Sequence, residues 1–332
     1  MTEGRRGLVV LAAVVVALLL LGLVALATRD GGDDDAASST AAATTTVVGG
    51  FPRDATVYRG LGAWIDVFDY VPAYQADGRP PLLTPRDVEL LALQGVRTLY
   101  LQAARLDERT PAGLVDAELL HGFLVAAHRH DMRVVAWYLP AFTDLQADLD
   151  RLLGLHRFEH RGQRFDGLAV DIEATSGVED HVERSRRLVE LSQRLRAEVG
   201  ADALGAIVLP PVLLEVVNQD FWPAFPWRDI AGLYDVWLPM TYWTDRREDS
   251  GYRNGFTYVE ESVRRMRANL GLPDAPVHPV GGIGDRVSEG SLYEYLDALV
   301  ATGAVGGSIY DVRTMSGGAW AILRGGVPAV TG

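Results

Sequence analysis

Eight short apolar segments alternate with helix-like segments along the chain, and this alternation is the strongest constraint on the fold. The strand-like segments span residues 60–66, 96–102, 133–138, 165–173, 203–209, 236–242, 277–281 and 306–311. Strands that alternate with helices pair in parallel and carry the helices on the outside. Their number and the chain length predict a (β/α)₈ TIM barrel over residues 51–332. In such a barrel the functional residues lie at the carboxyl ends of the strands.

A doubly wound open sheet is the alternative fold for this alternation. It places a glycine-rich phosphate-binding turn after its first strand, whereas residues 66–69 (Asp-Val-Phe-Asp) stand there in this chain. Residues 281–284 (Gly-Gly-Ile-Gly) follow the seventh strand, and such a pattern alone is more typical of a tight turn. We therefore expect the barrel.

The amino-terminal residues are expected to lie outside this domain. Arg5 and Arg6 precede an uncharged run of residues 7–28, which is rich in Val, Leu and Ala and long enough to cross a bilayer. Arginines on the amino side predict a cytoplasmic start and an exported remainder. Residues 25–27 (Ala-Leu-Ala) resemble a signal-peptide cleavage site. Residues 1–28 are thus a transmembrane signal anchor or a signal peptide, and the domain is membrane-anchored or secreted.

The composition restricts the partners of the chain. Residues 29–50 are acidic and then rich in Ala, Ser and Thr, which predicts a flexible linker. The formal net charge of −13 argues against a nucleic-acid partner, because nucleic-acid binding needs a basic face. The chain has no cysteine, so an exported domain would depend on packing without disulfides. No sequence pattern indicates a metal site or an organic cofactor.

Two carboxylates close the fourth strand, in residues 165–173 (Phe-Asp-Gly-Leu-Ala-Val-Asp-Ile-Glu). Side chains alternate between the faces of a strand, so Asp171 and Glu173 point the same way, roughly 7 Å apart along the chain. Acids at the end of an apolar strand are costly unless solvent or a substrate meets them. Helix capping or pairing with arginines is the structural alternative.

Acids and aromatic rings also follow the other predicted strands. Rings stack on the apolar faces of sugars and acids bond their hydroxyls, so the set favours a carbohydrate polymer as the substrate. Ordinary core packing is the alternative for each tryptophan. The candidate substrate-binding residues are Trp64, Asp66, Tyr100, Gln102, Trp137, Met240, Trp243, Asp245, Tyr310 and Asp311.

The acid pair indicates the chemistry. Glycosidic cleavage needs one acid that protonates the leaving oxygen, and Glu173 is the candidate. Retaining glycoside hydrolases of the large barrel clan have their nucleophile, a carboxylate, at the end of the seventh strand. Residues 279–281 (Pro-Val-Gly) provide no carboxylate there. A substrate-assisted mechanism instead uses the N-acetyl oxygen of the sugar and needs only an orienting acid. Asp171 is placed for that role.

These motifs resemble those of family 18 glycoside hydrolases, the chitinase-like barrels. Residues 166–173 are similar to the fourth-strand signature Asp-Gly-x-Asp-x-Asp-x-Glu, and residues 240–242 (Met-Thr-Tyr) to the sixth-strand Met-x-Tyr. The resemblance implies that Glu173 is the general acid/base, that Asp171 orients the acetamido group, and that Tyr242 supports the cyclised intermediate. Tyr310 stands where the family has a Trp on the eighth strand, and that Trp forms the floor of the sugar site.

Three departures from the family pattern leave the activity open. Ala169 replaces the middle acid, Tyr310 replaces the Trp, and the third strand lacks a Ser-x-Gly-Gly stretch. A group of barrel lysozymes also carries Asp-x-Glu at a strand end, and that pattern also fits Asp171 and Glu173. The sequence therefore predicts an extracellular glycoside hydrolase that acts on a polysaccharide or on peptidoglycan with N-acetylated sugars. The alternative, which Ala169 favours, is an inactive barrel that binds cell-surface glycans as a scaffold.

Overall fold

The computed structural model describes residues 54–110 and 113–328. They contain an eight-stranded parallel sheet whose strands neighbour one another in the order β6-β5-β4-β3-β2-β1-β8-β7. Isolated parallel bridges from Trp237 to Val277 and from Met240 to Val280 join β6 to β7 and close the barrel. The predicted (β/α)₈ barrel is confirmed. The strands are β1 Gly60–Ile65, β2 Thr98–Gln102, β3 Arg133–Tyr138, β4 Gly167–Ile172, β5 Leu204–Val208, β6 Val236–Pro239, β7 Val280–Ile283 and β8 Gly306–Tyr310.

A helical segment follows each strand. The α-helices of the described residues are α1 Val67–Tyr70, α2 Val88–Leu93, α3 Ala117–His128, α4 Leu145–His156, α5 His181–Val199, α6 Trp227–Ile230, α7 Gly255–Leu270, α8 Glu289–Thr302 and α9 Gly317–Gly326. The sequence did not predict α1, α6 or the π-helical turn Leu213–Val217. These elements are too short to show an amphipathic period.

Local signals set the ends of the longer helices. The Thr84 side chain and Asp87 form a capping box at the turn that leads into α2, with Pro85 at its first position. Asp180 caps α5 by accepting from two backbone amides. Gly200 ends the same helix with a φ of 61°, a conformation that glycine adopts without steric cost.

The amino-terminal end of the barrel is closed by the turn Thr56–Tyr58. The Tyr58 hydroxyl donates to the Leu168 carbonyl at 2.7 Å, and the Thr98 hydroxyl donates to the Val57 carbonyl at 2.7 Å. Tyr58 and Val57 are both buried. With this end filled by packed side chains, the opposite, carboxyl end is the one at which the strands present functional groups.

The seventh strand differs from the prediction. It was expected at residues 277–281, but the regular ladder runs over Val280–Ile283 and Val277 forms only an isolated bridge. Pro279 has no N–H to donate, so the ladder begins after it. Gly281 and its neighbour therefore belong to the strand, where a Cβ atom on Gly281 would lie 2.9 Å from the Trp243 ring. Glycine at position 281 thus lets the Trp243 ring pack directly against the strand backbone.

The predicted signal segment (residues 1–28) and linker (29–50), and the domain start at residue 51, lie outside the described residues. Over residues 54–110 and 113–328, no helix has both the length and the apolar character that a bilayer crossing requires.

Candidate active site

The end of β4 carries the two predicted catalytic acids. Asp171 is 6 % exposed, and its Oδ1 atom has no hydrogen-bond partner among the described residues. The neighbouring strand pairs it with the apolar Ile207. Burial raises the pKa of Asp171 well above its usual value, and the charge of Glu173 raises it further. A carboxylate without an arginine or a hydrogen bond to its buried oxygen is costly, which argues against a purely structural role.

Glu173 follows the strand and is half-buried. Burial raises its pKa from 4.5 to about 7. A carboxylic acid with such a pKa is partly protonated at neutral pH, and an efficient general acid has a pKa near the working pH. Glu173 can thus hold a proton at neutral pH, as protonation of a glycosidic oxygen requires.

Tyr242 lies beside this pair. Burial raises the pKa of its hydroxyl, and the charges of Glu173 and Asp171 are the next largest causes. The three residues that were predicted as catalytic therefore lie within electrostatic reach of one another. The Tyr242 ring is also 6.0 Å from the Tyr310 ring, centroid to centroid, which connects β6 with β8.

A second group of acids, the β1/β8 acid cluster, consists of Asp66, Asp69 and Asp311. One oxygen of each lies within 4.8 Å of the others. Tyr310 donates from its hydroxyl to Asp66 Oδ2 at 3.0 Å. Burial raises the pKa of all three carboxyls, and that of Asp69 reaches about 8 because the charges of Asp66 and Asp311 add to the effect. The three acids share one small, partly desolvated space.

Four predicted substrate-binding residues lie deeper in the barrel. Trp64 is 2 % exposed and stacks on the fully buried Tyr100 at 4.2 Å, and its Nε1 donates to Ser308 Oγ at 2.8 Å. Gln102 is buried and accepts from the backbone amide of Val67 at 3.1 Å. Trp137 is also buried and meets Trp64 edge to face. Their contacts are those of a packed barrel interior.

Three further predicted residues contact other elements. Met240 is buried where β6 meets β7. Trp243 is 1 % exposed and lies 5.4 Å from the Tyr295 ring on α8. Asp245 forms an ion pair with Arg286 at 2.7 Å. Of the predicted residues, Tyr242 is the one linked directly to the acids of β4, and its ring in turn lies 6.0 Å from that of Tyr310.

Sequence reasoning assigned no role to Arg184, which fixes the loop after Glu173. This arginine on α5 is 4 % exposed and donates to the carbonyl oxygens of Thr175 at 3.0 Å and Phe221 at 3.2 Å. A buried guanidinium with several donors can hold two loops at once. No pattern in the sequence distinguishes this arginine from those on the exposed face of the same helix.

The comparisons with known proteins support the fold. No protein-family model and no curated protein matches the sequence. Among solved structures, the chain is similar to the spore cortex-lytic enzyme SleL of Bacillus megaterium, with a TM-score of 0.55, 9 % identity, and coverage of 81 % of this chain and 74 % of that one. It is also similar to a class V chitinase of Pseudomonas fluorescens, with a TM-score of 0.54, 12 % identity and coverage of 81 % of this chain and 99 % of that one.

An endoglucanase, Cel5A of Pseudomonas stutzeri, is a third similar structure, with a TM-score of 0.53, 13 % identity and coverage of 81 % of this chain and 94 % of that one. At such low identities the likeness concerns the fold. In its fold the chain resembles the barrels of chitinases and related glycoside hydrolases.

Proposed function

We propose that this protein is a glycoside hydrolase that cleaves a polymer of N-acetylated sugars, such as a chitin-like polysaccharide or peptidoglycan. Glu173 acts as the general acid/base and protonates the leaving oxygen. Asp171 orients the N-acetyl group so that its carbonyl oxygen attacks the anomeric carbon. Tyr242 donates to the cyclised intermediate that follows. The mechanism retains the anomeric configuration and needs no enzyme nucleophile.

The observation that carries the proposal is the state of the β4 acids. Glu173 has a pKa of about 7, and the adjacent Asp171 has a buried oxygen without a hydrogen bond among the described residues. No basic side chain in this part of the chain contributes to either pKa. Perturbed acids at the carboxyl end of a barrel strand are typical of catalytic sites.

Substrate chemistry tests the mechanism. The full-length protein is expected to release shorter products from chitin oligomers or peptidoglycan fragments, and none from cello-oligosaccharides, which lack the N-acetyl group. Chromatography of the products provides the measurement, and the Glu173→Gln variant is the inactive control. Cleavage of cello-oligosaccharides at a comparable rate would contradict the substrate-assisted mechanism.

The pH dependence of the reaction follows from the pKa of Glu173. The general acid must be protonated, and its pKa is about 7. We expect kcat/KM to fall about tenfold per pH unit above that pKa, because the protonated fraction falls at this rate. The apparent pKa belongs to the coupled pair with Asp171. A profile that already declines near the usual glutamate value of about 4.3 would contradict the assignment. The Glu190→Gln change on α5, where Glu190 pairs with Arg186 at 2.8 Å, should leave the profile unchanged.

A glycan-binding scaffold is the second candidate function, and the filled barrel interior favours it. Trp64, Trp137 and Trp243 are 2 %, 5 % and 1 % exposed, so all three rings are packed inside the barrel. Ala169, in place of the middle acid of the chitinase-like signature, is fully buried beside Trp137 in the strand register. Glycan binding that is equal in the wild type and in Glu173→Gln, with no products from either, would support this function.

An exported location is part of the proposal. The arginines and the apolar run of residues 7–28 support a signal anchor or a cleaved signal peptide, and hence an extracellular site of action on cell-wall or environmental glycans. A fusion of residues 1–50 to a reporter that is active only outside the cytoplasm tests this prediction.

A further inference from the structure

We propose that the site takes a glycan of mixed acetylation, in which an N-acetylated sugar lies at Asp171 and Glu173 and the ammonium group of a neighbouring glucosamine lies at the β1/β8 acid cluster. The proposal rests on the glycosidase function above and names the substrate class of the same site. A glucosamine that has lost its acetyl group carries a primary amine. Nearby carboxylates favour the protonated form of such an amine.

The electrostatics of the site favour a cation. Burial is the largest cause of the raised pKa values of the Tyr242 and Tyr310 hydroxyls, and negative charges raise both pKa values further. Tyr242 lies within electrostatic reach of the β4 acids and of Asp311, and Tyr310 within reach of Asp66 and Asp311. Five carboxylates contribute to one or both of these tyrosine pKa values. They lie at or after the carboxyl ends of β1, β4, β6 and β8, and they are Asp66, Asp171, Glu173, Asp245 and Asp311.

Two buried carboxylate oxygens lack a hydrogen bond among the described residues, Asp171 Oδ1 and Asp69 Oδ1. Asp69 is fully buried, and the basic atom recorded near its free oxygen, Arg313 Nε, is 3.5 Å away on a side chain that is 41 % exposed. A buried acceptor without a donor costs free energy. A ligand that brings N–H donors would therefore gain by meeting these oxygens.

Tyr310 and Tyr242 link the two ends of the proposed site. Tyr310 donates to Asp66 at 3.0 Å, and its ring is 6.0 Å from that of Tyr242. Tyr242 in turn lies within electrostatic reach of Glu173. Two tyrosine rings thus connect the acid cluster to the catalytic acids.

An ammonium group fits the cluster better than a metal ion. Asp66 accepts from the Phe68 amide at 2.7 Å and from Tyr310, and Asp311 accepts from the Thr314 amide at 3.0 Å. Few oxygens remain free, whereas Ca²⁺ takes about six to eight oxygen ligands. An ammonium group offers three donors. The nearby Arg313 also shows that a nitrogen cation is accommodated next to Asp69.

Equilibrium binding to the full-length Glu173→Gln variant tests the proposal without turnover. Calorimetry compares the fully acetylated glucosamine hexamer with a hexamer in which alternate units have lost the acetyl group. We expect the mixed hexamer to bind about tenfold more tightly at low salt, since hydrogen bonds to charged groups have about this effect, and the difference to shrink as salt is added.

A second substitution in the same background locates the ammonium site. Asp311→Asn removes the charge and keeps an oxygen that can cap Thr314, so the preference for the mixed hexamer should disappear. Asp297→Asn, on the exposed face of α8, removes the same charge elsewhere and should leave the preference intact. A preference that survives Asp311→Asn would overturn the assignment to the acid cluster.

The outcomes separate this proposal from the glycosidase proposal. Equal affinity for the two hexamers would overturn the cationic subsite, even if the wild type cleaves the acetylated hexamer. A tenfold preference without products from the wild type would support the subsite and contradict the glycosidase. Calcium binding that Asp311→Asn abolishes, with no preference between hexamers, would make the cluster a metal site and overturn the inference.

Discussion

The Glu173→Gln variant is expected to lose about 10²- to 10⁴-fold in kcat, the usual contribution of a positioned general acid. Glutamine keeps the shape of the side chain but cannot protonate the leaving oxygen. Substrate binding should change little, so KM should stay near the wild-type value. Initial rates on the best N-acetylated substrate provide the measurement.

Stability distinguishes this loss from misfolding. The fold raises the pKa of Glu173 from 4.5 to about 7, so the folded state binds more protons than the unfolded state between these values. The free energy of unfolding therefore falls as the pH rises through this window, and the charged residue destabilises the protein above it. Glu173→Gln should be at least as stable as the wild type at pH 8.

Glu179→Gln is the matched control for this experiment. Glu179 is exposed in the loop that follows the same strand, and its change should affect neither kcat nor stability. If Glu173→Gln keeps more than a tenth of the wild-type kcat, Glu173 is not the general acid.

The Trp64→Ala variant is expected to lose about 3–5 kcal/mol of unfolding free energy, the range for truncation of a large buried aromatic side chain. Trp64 is 2 % exposed, stacks on Tyr100 and donates to Ser308. Its removal leaves a cavity in the barrel interior and an unpaired buried acceptor. Urea denaturation provides the measurement, and a lower midpoint with an unchanged slope indicates a change of stability.

Trp64→Phe separates the two contributions. It keeps a ring on Tyr100 and loses the hydrogen bond to Ser308, so it should cost less, about 1–2 kcal/mol for the bond and the unpaired acceptor. Normal stability of Trp64→Ala together with weaker glycan binding would contradict the packing role. That result would return Trp64 to the substrate-binding surface, as the sequence suggested.

The barrel and the acid pair were predictable because both depend on local patterns. Strand and helix periods, together with caps such as Asp180, repeat along the chain and need no distant partner. Asp171 lies in β4 and Glu173 directly follows it, so the strand period alone predicts a common direction for the two side chains. Strand ends were less predictable at β7, where Pro279 interrupts the ladder of hydrogen bonds.

The roles of the aromatic residues were not predictable. Their positions near the strand ends were right, but the depth of a ring depends on its neighbours. Trp64 is buried by Tyr100 of β2 and Ser308 of β8, and Trp243 by glycines of β7 and Tyr295 of α8. A strand period shows which face a side chain takes, and it does not show how far other elements cover that face.

By itself, the sequence determined the fold class, the carboxylates of β4 and the acidic character of the chain, since these depend on residue order and composition. Only the tertiary structure brought Asp66 to Tyr310, which is 244 residues away in the chain. The tertiary structure also placed Asp69 and Asp311 beside that pair. It left Asp171 Oδ1 buried without a hydrogen-bond donor among the described residues. The contacts of Asp66, Asp69, Tyr310 and Asp311 depend on barrel closure, which pairs the first strand with the last and buries the carboxylates of Asp69 and Asp311.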